Sequence, residues 1–184
     1  MCIRDRTYAA RRNMLRTKIG SGIILLPGNS LSPNNYPNNA YYFRQDSSFR
    51  YYFGLNTPSL AGLIDADTGE EALYGDDFTV EDIIWTGPQP TLRELGAEVG
   101  VTATFPMAEL EKRLRKAVSL GRKIHYLPPY RGETKLQLSA LLGIKPELLH
   151  DYKSVELMFA VAEMREKKSC LLYTSPSPRD RSVS

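Results

Sequence analysis

The sequence predicts an α/β fold, a single domain in which helices flank a β-sheet, and three observations predict it. Ile23-Ile24-Leu25-Leu26 is a short continuous apolar run closed by Pro27-Gly28-Asn29, the pattern of a strand buried on both faces. Leu60 to Asp65 and Glu71 to Gly75 flank Asp67-Thr68-Gly69-Glu70, a turn with glycine available for positive φ. Leu110, Leu114 and Val118 form an apolar stripe at helical spacing, with Glu109/Arg113 and Glu111/Arg115 paired four apart. A chain of 184 residues suits one domain and can bury a core.

Taken in order, Tyr8 to Ile19 predicts a helix, because Tyr8, Leu15 and Ile19 recur at helical spacing before Gly20 and Gly22 end it. Its Arg11, Arg12, Arg16 and Lys18 are expected on a solvated face. Ser30 to Asn39 is a loop, dense in Asn and Pro, of the kind that carries binding residues. The chain is organised around the next stretch, Phe43 to Leu55, which reads FRQDSSFRYYFGL. Phe49, Tyr51 and Phe53 alternate with Arg50 and Tyr52, which predicts a strand with one face in the core, ended by Gly54. Arg44, Gln45, Asp46 and Ser47 stand where a loop feeds that strand, and Asp and Ser there bond their own backbone to fix its entry. With 60–65 and 71–75 this strand is expected to make a meander.

Trp85, the one tryptophan, stands at the mouth of Gly87-Pro88-Gln89-Pro90, where an indole either walls a pocket or caps a core edge. Met107 to Leu120 is a helix stopped by Gly121, and Lys123 to Leu127 is a strand broken by Pro128-Pro129. Lys135 to Leu142 is a helix ended by Gly143. Ser154 caps a last helix whose Leu157, Val161 and Met164 share a face.

The two ends read as foreign. Residues 1–5 (MCIRD) and 170–175 (CLLYTS) can be back-translated to opposite strands of one DNA word, which looks like a sequencing-library adaptor. Residues 1–6 and 170–184 are therefore expected to be scars, with the natural chain continuing in either direction. Each end carries one net positive charge, so the formal +3 falls to +1 without them. A nearly neutral domain has no electrostatic footprint for nucleic acid. Both cysteines, Cys2 and Cys170, lie in these ends, which leaves no disulfide or thiolate site and fits a reducing compartment. No signal peptide is visible, and Ile23 to Leu26 is far too short to span a bilayer. A cytoplasmic protein with no membrane partner is the expectation.

Catalytic chemistry is hard to find. His125 and His150 each stand alone, and a lone histidine in such settings is expected to be a hydrogen-bonded structural residue. There is no HExxH, CxxC, phosphate-cradling glycine loop or Gly-x-Ser-x-Gly.

Seven ordered pieces carry a resemblance: YAARRNML, ILLPGN, FRQDSSFRYYFGL, LIDADTGE, IIWTGPQP, HYLPPYRGE and VELMFAVAEMREKKS. Together they span Thr7 to Ser169 and resemble the amino-terminal domain of the aminopeptidase P (Xaa-Pro aminopeptidase) and creatinase family. The resemblance implies a mixed sheet with flanking helices over 7–153, followed at 154–169 by the start of a helix leading to a catalytic domain. That domain, of pita-bread fold, holds two divalent metals, usually manganese, and removes the first residue from peptides with proline second. Asp65 and Asp76 are eleven apart, like the first two metal aspartates of such catalytic domains, but turn carboxylates explain Asp65, Asp67, Asp76 and Asp77 better. No metal ligand and no catalytic residue is expected in this chain.

The role the resemblance implies is an active-site rim and an oligomerisation surface. Trp85-Thr86-Gly87 matches the family's Trp-x-Gly, which moves Trp85 towards pocket lining. Asn38 stands where some members carry an acid that approaches a neighbouring subunit's site, and Pro88-Gln89-Pro90 where some carry arginines. Arg44, Gln45 and Asp46 are the family signature, expected to be structural. The implied partners are the chain's own pita-bread domain, further copies in a homo-oligomer, and a peptide substrate. The rival readings are a stand-alone peptide-binding module and the related domain of a prolidase or creatinase.

Overall fold

The computed structural model describes residues 3–36 and 39–166. In chain order the elements are α1 (Ile3–Ile19), β1 (Ile23–Pro27), α2 (Ser47–Phe53), β2 (Ala61–Asp65) and β3 (Glu71–Tyr74). There follow α3 (Val80–Thr86), α4 (Leu92–Glu98), β4 (Ala103–Phe105), α5 (Met107–Ser119), β5 (Ile124–His125), α6 (Gly132–Leu142) and α7 (Val155–Glu166).

The five strands lie in the order β4-β3-β2-β1-β5. The pairs β1/β2 and β2/β3 are antiparallel, whereas β1/β5 and β3/β4 are parallel, so the sheet is mixed. β1 has neighbours on both edges and layers on both faces, which is why its sequence is a continuous apolar run. Ile24 and Leu26 point into one core with Leu15 of α1, Phe49 and Phe53 of α2, Leu95 of α4 and Leu157 of α7. Ile23 and Leu25 point into the other, with Leu110 and Leu114 of α5 and Leu138 of α6.

The segment read as the organising strand is a helix. Asp46 caps it, its Oδ1 accepting from the backbone N–H of Ser48 at 2.9 Å and of Phe49 at 2.8 Å. Gly54 ends it at φ 72°, its N–H donating to the Arg50 carbonyl at 2.9 Å. The buried aromatics are Phe49, Tyr52 and Phe53, spaced three and four apart rather than two. The meander is therefore made by β1, β2 and β3 alone.

The basic face of α1 is also not what charge patterning predicts. Arg12 is fully buried: Nε pairs with Glu71 at 2.7 Å, and the two terminal nitrogens donate to the carbonyls of Tyr52 at 3.0 Å and Val99 at 2.9 Å. Arg11 donates to the Tyr51 carbonyl at 3.0 Å and lies 4.1 Å from that residue's ring centroid. These two arginines tie α1 to α2 through backbone carbonyls that a short helix leaves without partners. Three of these elements went unpredicted, α3, α4 and β4. α4 opens with a capping box in which Thr91 and Glu94 satisfy each other's backbone N–H groups.

Candidate functional site

The signature residues sit at one crossing point. Gln45 is buried; its Oε1 accepts from the backbone N–H of Asn29 at 2.6 Å and of Asp46 at 2.8 Å, while Nε2 donates to the Thr57 carbonyl at 2.7 Å. Asn29, just past β1, donates from Nδ2 to the Arg44 carbonyl at 2.9 Å. The Tyr130 hydroxyl donates to Asp46 Oδ2 at 3.1 Å. One polar network therefore joins the loop after β1, the segment before α2 and the loop after β5. Gly28 lets these strands meet, since a Cβ there would come 2.7 Å from the Leu60 carbonyl and 3.0 Å from Gln45 Oε1.

Two recesses open on either side of this network. The first, about 490 Å³, is lined by Arg44, Arg131, Tyr41, Tyr42, Tyr130 and neighbouring polar groups. Arg131 is anchored in its wall, donating to the Ser30 carbonyl at 3.4 Å and to Ser32 Oγ. The second, about 500 Å³, is apolar, lined by Leu26, Pro27, Leu127, Pro128, Met158 and Val161, with Asp46 and Arg165 at its margin. Sequence reasoning named Arg44, Gln45 and Asp46 but missed Asn29, Tyr130 and Arg131 as members of the same site. Their signal was available in the loop-forming ILLPGN and LPPYRGE stretches that end β1 and follow β5.

Trp85 lines neither recess. It is 83% exposed on α3, a helix that buries none of its seven residues and is held by a Thr79/Asp82 capping box. Among the described residues Trp85 therefore caps no core edge, and its face is open. Asn38 lies outside the described residues.

The buried groups with metal-ligating chemistry, His125 and Asp65, are engaged in holding the fold, whereas the His150 ring is exposed. His125 is buried, with Nδ1 2.7 Å from Ser154 Oγ and Nε2 3.1 Å from the Ser21 carbonyl. The Ser21 contact makes Nε2 the protonated nitrogen, so Nδ1 accepts from the Ser154 hydroxyl. Ser154 in turn accepts from the N–H of Leu157 at 3.2 Å, the capping contact expected for α7. Burial and the Lys123 ammonium push the imidazole's pKa down, so it stays neutral.

Asp65 is a buried carboxylate held by arginine rather than only a turn former: Arg122 donates to both its oxygens, and the N–H groups of Asp67 and Thr68 to one of them. Burial pushes this carboxyl up, but the hydrogen bonds from Arg122 and Thr68 outweigh it and leave its pKa at about 2. Asp76 and Asp77 accept from the first backbone N–H groups of α5 and α4, at 3.1 Å and 2.6 Å. Among the described residues no cluster of three or more His, Cys, Asp or Glu side chains could hold a metal ion. No described helix is long and apolar enough to cross a membrane.

This architecture, a mixed five-stranded sheet between two helical layers, recurs in solved aminopeptidases. An Escherichia coli aminopeptidase P structure superposes with TM-score 0.64 at 18% identity, over 78% of this chain and 33% of that one. A Pseudomonas aeruginosa aminopeptidase gives 0.64 at 21% identity, over 81% and 34%. Proline aminopeptidase P II of Yersinia pestis gives 0.62 at 19%, over 76% and 33%.

The family model described as aminopeptidase P, N-terminal domain, matches residues 8–126, and the chain belongs to that family. Among curated proteins, an uncharacterized peptidase of Saccharomyces cerevisiae is 25% identical over 114 residues, 62% of this chain and 21% of that protein. The chain thus spans about a third of the bacterial enzymes and about a fifth of the yeast protein.

Proposed function

We propose that this chain is the non-catalytic amino-terminal domain of a metal-dependent Xaa-Pro aminopeptidase. The parent protein releases the first residue from peptides with proline second, in the cytoplasm, as a homo-oligomer. Its two divalent metals, manganese, belong to a pita-bread domain outside this chain, and the present domain contributes the rim of that site and an assembly surface. Family membership and the fold support the peptidase parent. The division of labour rests on one observation: His125 and Asp65, the buried groups best suited to ligate a metal, are fully engaged by Ser154, Ser21 and Arg122.

Trp85, exposed on a helix that buries nothing, is available to line the substrate pocket once a second domain or subunit covers it. Asn38, which stands in the sequence where some family members carry an acid, is assigned to the same rim without that acid's charge.

The test is direct. Purified protein incubated with manganese leaves an Xaa-Pro peptide uncut, while the same domain joined to its own downstream catalytic domain releases the first residue. Metal-dependent release by the 184-residue chain alone would overturn the assignment.

A further inference from the structure

The recess between the loop after β1, the segment before α2 and the Tyr130-Arg131 turn has charge of one sign. Its ionised lining groups are Arg44 and Arg131, and among the described residues no carboxylate lines it. The nearest acids are engaged: Asp46 caps α2 and accepts from Tyr130, and Glu133 accepts from Ser32 Oγ at 2.9 Å while lying 3.6 Å from Arg131 Nε.

The two guanidinium groups are held differently. Arg131 is fixed by the Ser30 carbonyl and Ser32 Oγ before any ligand arrives. The Arg44 side chain has no hydrogen-bond or ion-pair partner among the described residues, although its backbone carbonyl is locked to Asn29. The chain therefore positions a guanidinium fork at a recess and gives it nothing to bind. Such a fork matches the two oxygens of a carboxylate or phosphate. Around it, Tyr41, Tyr42 and Tyr130 are 60%, 98% and 72% exposed, offering ring faces at the same opening. A volume of about 490 Å³ suits a small molecule.

We infer that this recess binds a small organic oxyanion, a carboxylate or phosphate monoester carried on an aromatic body, with Arg44 and Arg131 taking the oxygens and the tyrosines the ring. The inference goes beyond the peptidase reading and stands or falls separately from it.

Calorimetric titration of the 184-residue chain at low salt tests it with three probes: N-acetylphenylalanine, phenyl phosphate, and N-acetylphenylalanine amide. At least one of the two anions binds saturably with a dissociation constant of about 1 mM or below, and the amide does not. The tighter anion identifies the carboxylate or phosphate source. Arg44→Gln weakens that binding about ten-fold or more, a loss of about 1.4 kcal/mol, and Arg44→Lys, which keeps charge without the fork, falls between. An unchanged thermal midpoint shows that Arg44→Gln is folded. Tyr42→Ala, at the most exposed ring, is a second variant and weakens binding several-fold. Failure of both anions to saturate by about 10 mM would overturn the proposal. So would equal binding of the amide, or an affinity unchanged in Arg44→Gln and Tyr42→Ala alike.

Discussion

Arg122 grips Asp65 with two nitrogens, Nη1 2.9 Å from Oδ2 and Nη2 2.5 Å from Oδ1, at the end of β2. The grip makes stability depend on pH with a definite sign. The Asp65 pKa is depressed from 3.8 to about 2, so its contribution is fully present above pH 3.8 and fades as pH falls towards 2. The shift corresponds to about 2 kcal/mol. Denaturant unfolding at neutral pH and near pH 2 is expected to show this loss, and Asp65→Asn is expected to start lower and lose less. An equal acid response in wild type and variant would show that other carboxylates dominate.

His125 acts in a second pH window. Burial and Lys123 lower its pKa, with Glu156 and Asp67 opposing them and Ser21 and Ser154 as hydrogen-bond partners. Below its unfolded value of about 6.5 the unfolded chain takes up a proton that the folded chain resists, so stability falls as pH drops through that range. His125→Asn should cost about 1–3 kcal/mol at neutral pH, because Ser154 and the Ser21 carbonyl lose partners. The decline in stability between pH 7 and 5.5, read from chemical denaturation midpoints, should shrink in the variant.

Asp46 tests the helix that replaced the expected strand. Asp46→Ala removes the cap of α2 and the acceptor for Tyr130, and is expected to cost about 1–2 kcal/mol, whereas Asp46→Asn keeps a capping oxygen and costs much less. Equal losses by thermal unfolding would show that the negative charge matters more than the cap.

The same stretch explains what was legible in the sequence. Phe49, Tyr51 and Phe53 satisfy a period of two, but Phe49, Tyr52 and Phe53 satisfy a helical period equally well, and seven residues are too few for periodicity to arbitrate. Asp46 before the run and Gly54 after it were the deciding signals, a cap and a left-handed stop. Ile23 to Leu26 was readable because both faces of β1 are covered and no alternation was needed. Arg12 was not, since only tertiary contacts with Glu71, Tyr52 and Val99 make a buried arginine tolerable. At the candidate site, Gln45 and Asp46 were visible as a motif, but their partners Asn29 and Tyr130 lie 16 and 84 residues away.

Gly54 carries two constraints at once. Its φ of 72° favours glycine, and a Cβ would drive into the Tyr8 ring of α1. Gly54→Ala is therefore expected to cost about 2–4 kcal/mol, combining the left-handed penalty with overpacking. Tyr8→Ala in the same background should recover part of that loss, because it clears the clash but not the backbone strain. A double variant no more stable than Gly54→Ala would place the whole cost in the backbone.

Trp85 separates structure from function. At 83% exposure on a helix with no buried residue, it contributes little to this domain's core, so Trp85→Ala is expected to change the unfolding free energy by no more than about 0.5 kcal/mol. In the full-length Xaa-Pro aminopeptidase proposed above, the pocket-rim role proposed for Trp85 predicts that the same substitution raises KM for an Xaa-Pro peptide, because an indole that walls a pocket loses its contact area. The stability measurement removes the trivial explanation that the variant misfolds, and the kinetic one then bears on the pocket alone. Unchanged stability with unchanged kinetics would assign the exposed face of α3, Ile84 included, to a contact that substrate never reaches.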